Sequence, residues 1–170
     1  MSNKSVEKIE EAILPKINSL GYDLEYIEEV KENSRDILRV VIDKKDSSMS
    51  SEDCEKVSMA IGEDIDRCMK EKAYVLEVSS AGLEKNLKNI KLYEKYLGSK
   101  VYIKLFKKTK LTENLNEKEF EANIINVDKE SEKITFKSEK GEQFTLELKD
   151  IAASHTVFDF NAFFKANENK

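Results

Sequence analysis

The sequence predicts an α+β domain of order α-β-β-α-β ending near residue 83, followed by a small all-β domain with a short helix ahead of it. Three observations carry that reading. Up to residue 80 the apolar residues alternate between helical and strand spacing, whereas after residue 100 only short alternating segments separated by polar turns remain. Between the two patterns stands a run of small residues, Ser79, Ser80, Ala81 and Gly82, which is read as a hinge. At 170 residues the chain has room for one ordinary domain or two small ones, and at 39% hydrophobic and 37% charged residues it can bury a core and stay soluble.

Residues 4–20 form the first predicted helix. Val6, Ile9, Ile13, Ile17 and Leu20 make one apolar stripe, and Gly21 sits where a helix ends. Pro15 falls inside it and is expected to kink the helix near Glu11 or split it in two. Residues 24–30 and 37–43 alternate as strands, with the polar link 31–36 suggesting an antiparallel hairpin. Ser50 or Ser51 can cap a second helix whose first turn carries Glu52, Asp53 and Glu55, the charge sign a helix N-terminus favours. Its stripe is read as Cys54, Val57, Ile61, Ile65 and Cys68, and Gly62 within it suggests a close backbone approach. Residues 74–79 supply a third strand.

A three-stranded sheet with both helices on one face would bury these stripes and leave the other face to solvent or a partner. The order is similar to a KH-like half, but Gly62 has no glycine three residues on, so the Gly-x-x-Gly nucleotide clamp is missing. Residues 1–83 hold twelve Lys and Arg against nineteen Asp and Glu, a net of −7. That balance points away from phosphates and towards a basic partner.

Residues 84–98 read as a linker with a short helix over 89–97 that ends at Gly98. Strands follow at 101–106, 120–127, 133–137 and 144–148, with a fifth at 156–160; the domain spans 99–160, and residues 161–170 form a tail expected to fray. The long loop is 107–118.

Charge changes sign at the hinge. Residues 84–110 carry nine lysines against two glutamates, a local +7 in a chain whose total is −5. Alternation in the first strand of the second domain sends Val101, Ile103 and Leu105 one way, and Tyr102, Lys104 and Phe106 the other. Lysines beside an aromatic ring suit phosphates and unstacked bases, so Lys85, Lys88, Lys100, Tyr102, Lys104, Lys107 and Lys108 are the candidate RNA-binding residues. Contacts of that kind are blind to sequence and weaken as salt rises.

Catalysis finds no support in the sequence. The single histidine, His155, follows Ala152, Ala153 and Ser154 in a stretch read as a turn, and there is no nucleophile elbow or phosphate loop. Cys54 and Cys68 lie fourteen residues apart on one predicted helix, too far for a disulfide and without partners for a metal site. No catalytic group, metal or cofactor is therefore assigned. No apolar run reaches the ~20 residues needed to span a bilayer, and no signal peptide is read, so the expected location is the cytoplasm.

The segment Leu76-Glu77-Val78-Ser79-Ser80-Ala81-Gly82-Leu83-Glu84-Lys85 resembles the signature of the bacterial ribosome maturation factor RimP family, with supporting matches at 38–43, 53–58 and 93–101. Two prolines of that signature are Ala81 and Asn86 here, and its Asp-Arg pair is Glu84-Lys85. The resemblance implies an SH3-like or Sm-like barrel for 99–160. It also implies a monomeric, non-catalytic factor that assists late maturation of the small ribosomal subunit through ribosomal RNA and a basic small-subunit protein near the decoding centre. The alternatives are a general Sm-like or KH-like RNA-binding protein, which as an Sm-like module would form a ring, and a protein-only adaptor.

Overall fold

The computed structural model of the protein describes residues 3–45, 47–70 and 72–168, and its first helix, α1 (Asn3–Ser19), follows from the apolar stripe. Ile9, Ile13 and Ile17 are fully buried. Pro15 does not split the helix. A proline removes one backbone N–H, but Ile13 and Ile17 on either side of it are anchored in the same core, and this holds the two turns in line. Gly21, at φ +87°, turns the chain out of the helix in a geometry that strains any residue with a Cβ.

Strands β1 (Asp23–Glu32) and β2 (Arg35–Asp43) are longer than the alternation predicts. The link between them shrinks to two residues, Asn33 (φ 49°) and Ser34 (φ 63°). Two successive left-handed residues match the right-handed twist of the flanking strands, so pairing continues up to the turn. The chain then enters α2 (Ser51–Met69) through a capping box: Ser50 Oγ accepts from the Asp53 N–H, and the Asp53 carboxylate accepts from the Ser50 N–H. It returns as β3 (Val75–Ser80), parallel to β2. The sheet order is β1-β2-β3.

Central position explains the burial of β2. Leu38, Val40 and Ile42 join the stripes of α1 and α2 in one core, which places both helices on the same face. The α2 stripe is Val57, Ile61, Ile65 and Met69, a strict four-residue spacing. Cys54 and Cys68, expected there, are half-buried and exposed, because that spacing turns them off the seam. The close approach expected at Gly62 is also missing: a Cβ there would meet nothing within 4 Å.

The chain divides into two compact units, Met1–Gly82 and Leu83–Lys170. In the second, α3 (Ile90–Lys95) starts at Asn89, whose side chain accepts from the Leu92 N–H at 3.1 Å. Strands β4 (Lys100–Leu105), β5 (Glu119–Asp128), β6 (Lys133–Ser138), β7 (Gln143–Glu147) and β8 (Ile151–Thr156) form one antiparallel sheet of order β7-β6-β5-β4-β8. Among the described residues no ladder joins β7 to β8, so the sheet is open where a closed barrel was expected. A three-residue 3-10 turn, Leu148–Asp150, carries the chain off β7, and β8 pairs instead with β4.

Two further expectations change here. The last strand is β8 at 151–156, ahead of the predicted 156–160, and it contains the Ala152 to His155 stretch that was read as a turn. Small side chains do not oppose a strand whose ladder is supplied by a neighbour. The tail predicted to fray is helical as far as residue 168 (α4, Phe160–Glu168), with Asp159 Oδ1 accepting from the Ala162 N–H at 3.0 Å; residues 169 and 170 lie outside the described residues. The stretch 84–98 is woven into the second unit. Leu87, Leu92 and Tyr93 are buried, and residues 85–87 line the outer edge of β8 through Thr156 N–H to Lys85 O at 2.9 Å and Leu87 N–H to Ser154 O at 3.0 Å.

Candidate nucleic-acid interface

The candidate residues are organised by β4. Val101, Ile103 and Leu105 are buried, so Lys100, Tyr102 and Lys104 share the outer face, as the alternation requires. Phe106 lies beyond the strand end and is exposed.

Cross-strand neighbours decide what that face can do. On β5, Glu121 stands opposite Tyr102 and Glu119 opposite Lys104. Lys104 Nζ lies 3.0 Å from Glu119, while Lys100 Nζ lies 2.6 Å from Glu121 and 2.9 Å from Glu139. The Glu121 and Glu139 carboxylates hold the Lys100 pKa well above its usual value. Hydrogen bonding to Glu119 raises that of Lys104, and Lys104 in turn lowers that of Glu119. Tyr102 is shifted up, first by desolvation and then by its hydrogen bond to Glu119. Both strand lysines therefore already have counter-charges.

On the other side of β4, Tyr102 stacks on His155 of β8, with ring centroids 5.0 Å apart and planes at 22°. His155 Nδ1 is 3.6 Å from the Glu84 carboxylate. Residues 85–87 lie one strand further out, so at the usual ~4.8 Å spacing they run about 10 Å from β4. Lys85 is half-buried with its backbone paired to Thr156, and Lys88 is exposed.

Lys107 and Lys108 are exposed where the chain leaves β4. The loop that follows is anchored: Thr112 Oγ1 donates to Glu142 at 2.7 Å and Asn114 Nδ2 donates to Glu142 at 3.0 Å, tying it to the β6–β7 turn. The seven candidates thus fall into three sets, Lys100, Tyr102 and Lys104 on the β4 face, Lys107 and Lys108 past its end, and Lys85 and Lys88 on the segment edging β8. The glutamates were missed because they arrive on a different strand. The alternation Glu119, Phe120, Glu121 would have revealed them.

The hinge residues divide as well. Ser79 and Ser80 pair with Val41 and Ile42, and the Ala81 N–H still donates to Ile42 O at 3.0 Å. Only Gly82, at φ +74°, lies past that ladder. The run 79–82 was read as a hinge, but the backbone of β2 holds Ser79 and Ser80 in the sheet.

Two polar clusters of the first unit were not foreseen. Arg39 on β2 donates through Nε to Glu77 on β3 at 2.6 Å, and through its terminal nitrogens to Glu28 and Glu32 on β1 at 3.1 and 3.2 Å, tying three strands together. Asp53 accepts from Tyr22 Oη at 2.6 Å and Lys44 Nζ at 2.8 Å, besides Ser50. Lys44 first, then Tyr22 and Ser50, hold its carboxyl far below the usual range. Among the described residues no group of three or more His, Cys, Asp or Glu could hold a metal ion, and no helix is long and apolar enough to cross a membrane.

Residues 12–84 fit the RimP N-terminal domain, a span that runs from α1 through the capping box and Arg39 to the residues just past β3.

Proposed function

We propose, from the fit of residues 12–84 to the RimP N-terminal domain, that this chain is a ribosome maturation factor of the RimP type, which binds the maturing small ribosomal subunit and assists its late maturation without catalysis, holding ribosomal RNA and a basic small-subunit protein. The observation that carries this reading is the match over 12–84, which includes the Leu76 to Gly82 run. In the second unit we read the order β7-β6-β5-β4-β8 as an SH3-like arrangement, in which the last strand returns beside the first. RNA contact then falls to Lys107 and Lys108 ahead of Lys100 and Lys104, which are engaged by glutamates, with Lys85, Lys88 and Tyr102 as the remaining candidates. The acidic first unit complements a basic protein.

Co-sedimentation with free small subunits and with completed ribosomes tests the reading: binding to the first and not the second is expected, and equal binding to both would sink it. A second reading, a protein-only adaptor, draws on the pairing of those two strand lysines. Lys107→Glu with Lys108→Glu separates the two. An RNA-holding factor loses subunit binding and up to about two units of salt-dependence slope, whereas an adaptor keeps both.

A further inference from the structure

Strand β3 is an edge strand, and no strand among the described residues pairs with its far side. Edges are usually blocked by lysine, proline, a bulge or a covering segment. The β3 sequence VLEVSS has no lysine or proline and its register with β2 shows no bulge, and its one charge, Glu77, is engaged by Arg39 from the neighbouring strand. The Ala81 N–H points at β2. Since successive residues of a strand face opposite sides, Leu76, Val78 and Ser80 turn their N–H and C=O groups to the open edge.

Beside this edge runs α2. Tyr74, just before β3, donates to Asp66 Oδ1 at 2.7 Å, which places Asp66 on the β3 side of the helix. Glu55, Met59 and Gly62 recur with Asp66 at intervals of four, three and four, so they form one stripe. Met59 is 78% exposed, and the space over Gly62 is empty of heavy atoms within 4 Å of a Cβ. The stripe thus offers a pliable apolar side chain and a gap between two carboxylates.

We propose that the open edge of β3 and the Glu55–Met59–Gly62–Asp66 stripe of α2 form a groove that takes an extended basic polypeptide segment as an added strand. Backbone groups of β3 supply the ladder, and the carboxylates select positive side chains. A phosphate backbone is disfavoured by the same carboxylates and by the −7 balance of residues 1–83. The opposite edge, β1, is a poorer template, because it is interrupted by a bulge between Leu24 and Tyr26. The proposal rests on the ribosome-assembly reading only for the source of the segment, a basic small-subunit protein.

The test uses the full chain and a synthetic peptide of alternating lysine and valine, about 12 residues long to cover the edge, with an alternating glutamate–valine peptide and an oligouridine of similar length as comparators. The lysine peptide is expected to slow amide exchange at Leu76, Val78 and Ser80. Gly62→Gln fills the gap with a better helix former, so it should melt no lower than the parent yet bind about tenfold more weakly. Ser80→Pro, which removes one outward N–H, should also weaken binding. The groove is overturned by undiminished binding to Gly62→Gln, by protection along β1 instead, by either comparator protecting the same amides, or by no binding of the lysine peptide. Any of these with parental co-sedimentation intact sinks the groove alone; loss of parental co-sedimentation sinks the assembly reading.

Discussion

Replacing Tyr93 by phenylalanine tests how the second unit is held together. Tyr93 comes from α3 and is 0% exposed, and its hydroxyl shares a hydrogen bond with Ser154 Oγ, itself buried on β8. Removing one partner leaves a buried hydroxyl unsatisfied, which costs about 1–3 kcal/mol. Tyr93→Phe and Ser154→Ala should each show that loss, and the double variant should lose less than their sum by about 1 kcal/mol or more. The same residue makes a pH prediction. Burial pushes the Tyr93 pKa from 10.0 up to about 12, against the opposing effect of the Ser154 hydrogen bond. Between those values the unfolded chain gives up the proton and the folded unit keeps it, so stability is complete below the lower value and falls as pH rises. At ~1.4 kcal/mol per unit the loss reaches about 3 kcal/mol once both values are passed. Tyr102 is also shifted up, but it contributes to parent and variant alike and cancels. Urea unfolding followed at the methyl signals of Ile103 and Ile124 reads this unit by itself. A Tyr93→Phe chain as stable as the parent near neutrality, or one with an undiminished alkaline fall, would refute the argument.

The first unit offers two more tests. Ser50→Ala removes the α2 cap and should lower the urea midpoint of that unit by the equivalent of about 1 kcal/mol, read at the Ile42 and Ile61 methyls. It should also move the Asp53 carboxyl titration upward, because Ser50 is one of the groups that depress it. A depressed carboxylate stabilises the fold above the ordinary carboxylate range and ceases to do so as pH falls, so acid unfolding should begin at higher pH in the variant. Arg39→Lys keeps the charge but cannot reach three carboxylates in a planar fork, and about 1 kcal/mol is expected after allowance for solvent screening. Arg39→Met should cost more, since Glu28, Glu32 and Glu77 would then repel one another, and thermal melts at low and high salt should converge as that repulsion is screened.

Local pattern revealed the first unit almost whole, because its elements are long and its core is drawn from residues with one clear period. Ile9, Ile13, Ile17, Val57, Ile61 and Ile65 announce their helices before any partner is known. What stayed hidden depends on neighbours distant in sequence. Ala152, Ala153 and Ser154 have no strand character of their own, yet they form β8 because β4 offers a ladder and because Tyr93 satisfies the buried Ser154 hydroxyl. Ser80 extends β3 one residue past the predicted end for the same reason, with β2 as the template. Sequence alternation also foresaw the two faces of β4 but said nothing about which strand would lie beside it.

That last gap bears directly on function. Counting charge along the chain makes 84–110 a cationic stripe, whereas a sheet brings charge together across strands, and β5 sets Glu119 and Glu121 beside Lys104 and Lys100. An incoming phosphate at those lysines must compete with carboxylates at 2.6 and 3.0 Å, and the displaced carboxylates would then repel it. At Lys107 and Lys108 the chain has left the ladder, and no glutamate stands opposite by register. If RNA is held, the energetic weight should therefore lie past the end of β4, and Lys100→Gln should change the salt dependence of subunit binding less than Lys107→Gln does. The opposite ranking would mean that the carboxylates are released on binding and that the β4 face is the true contact.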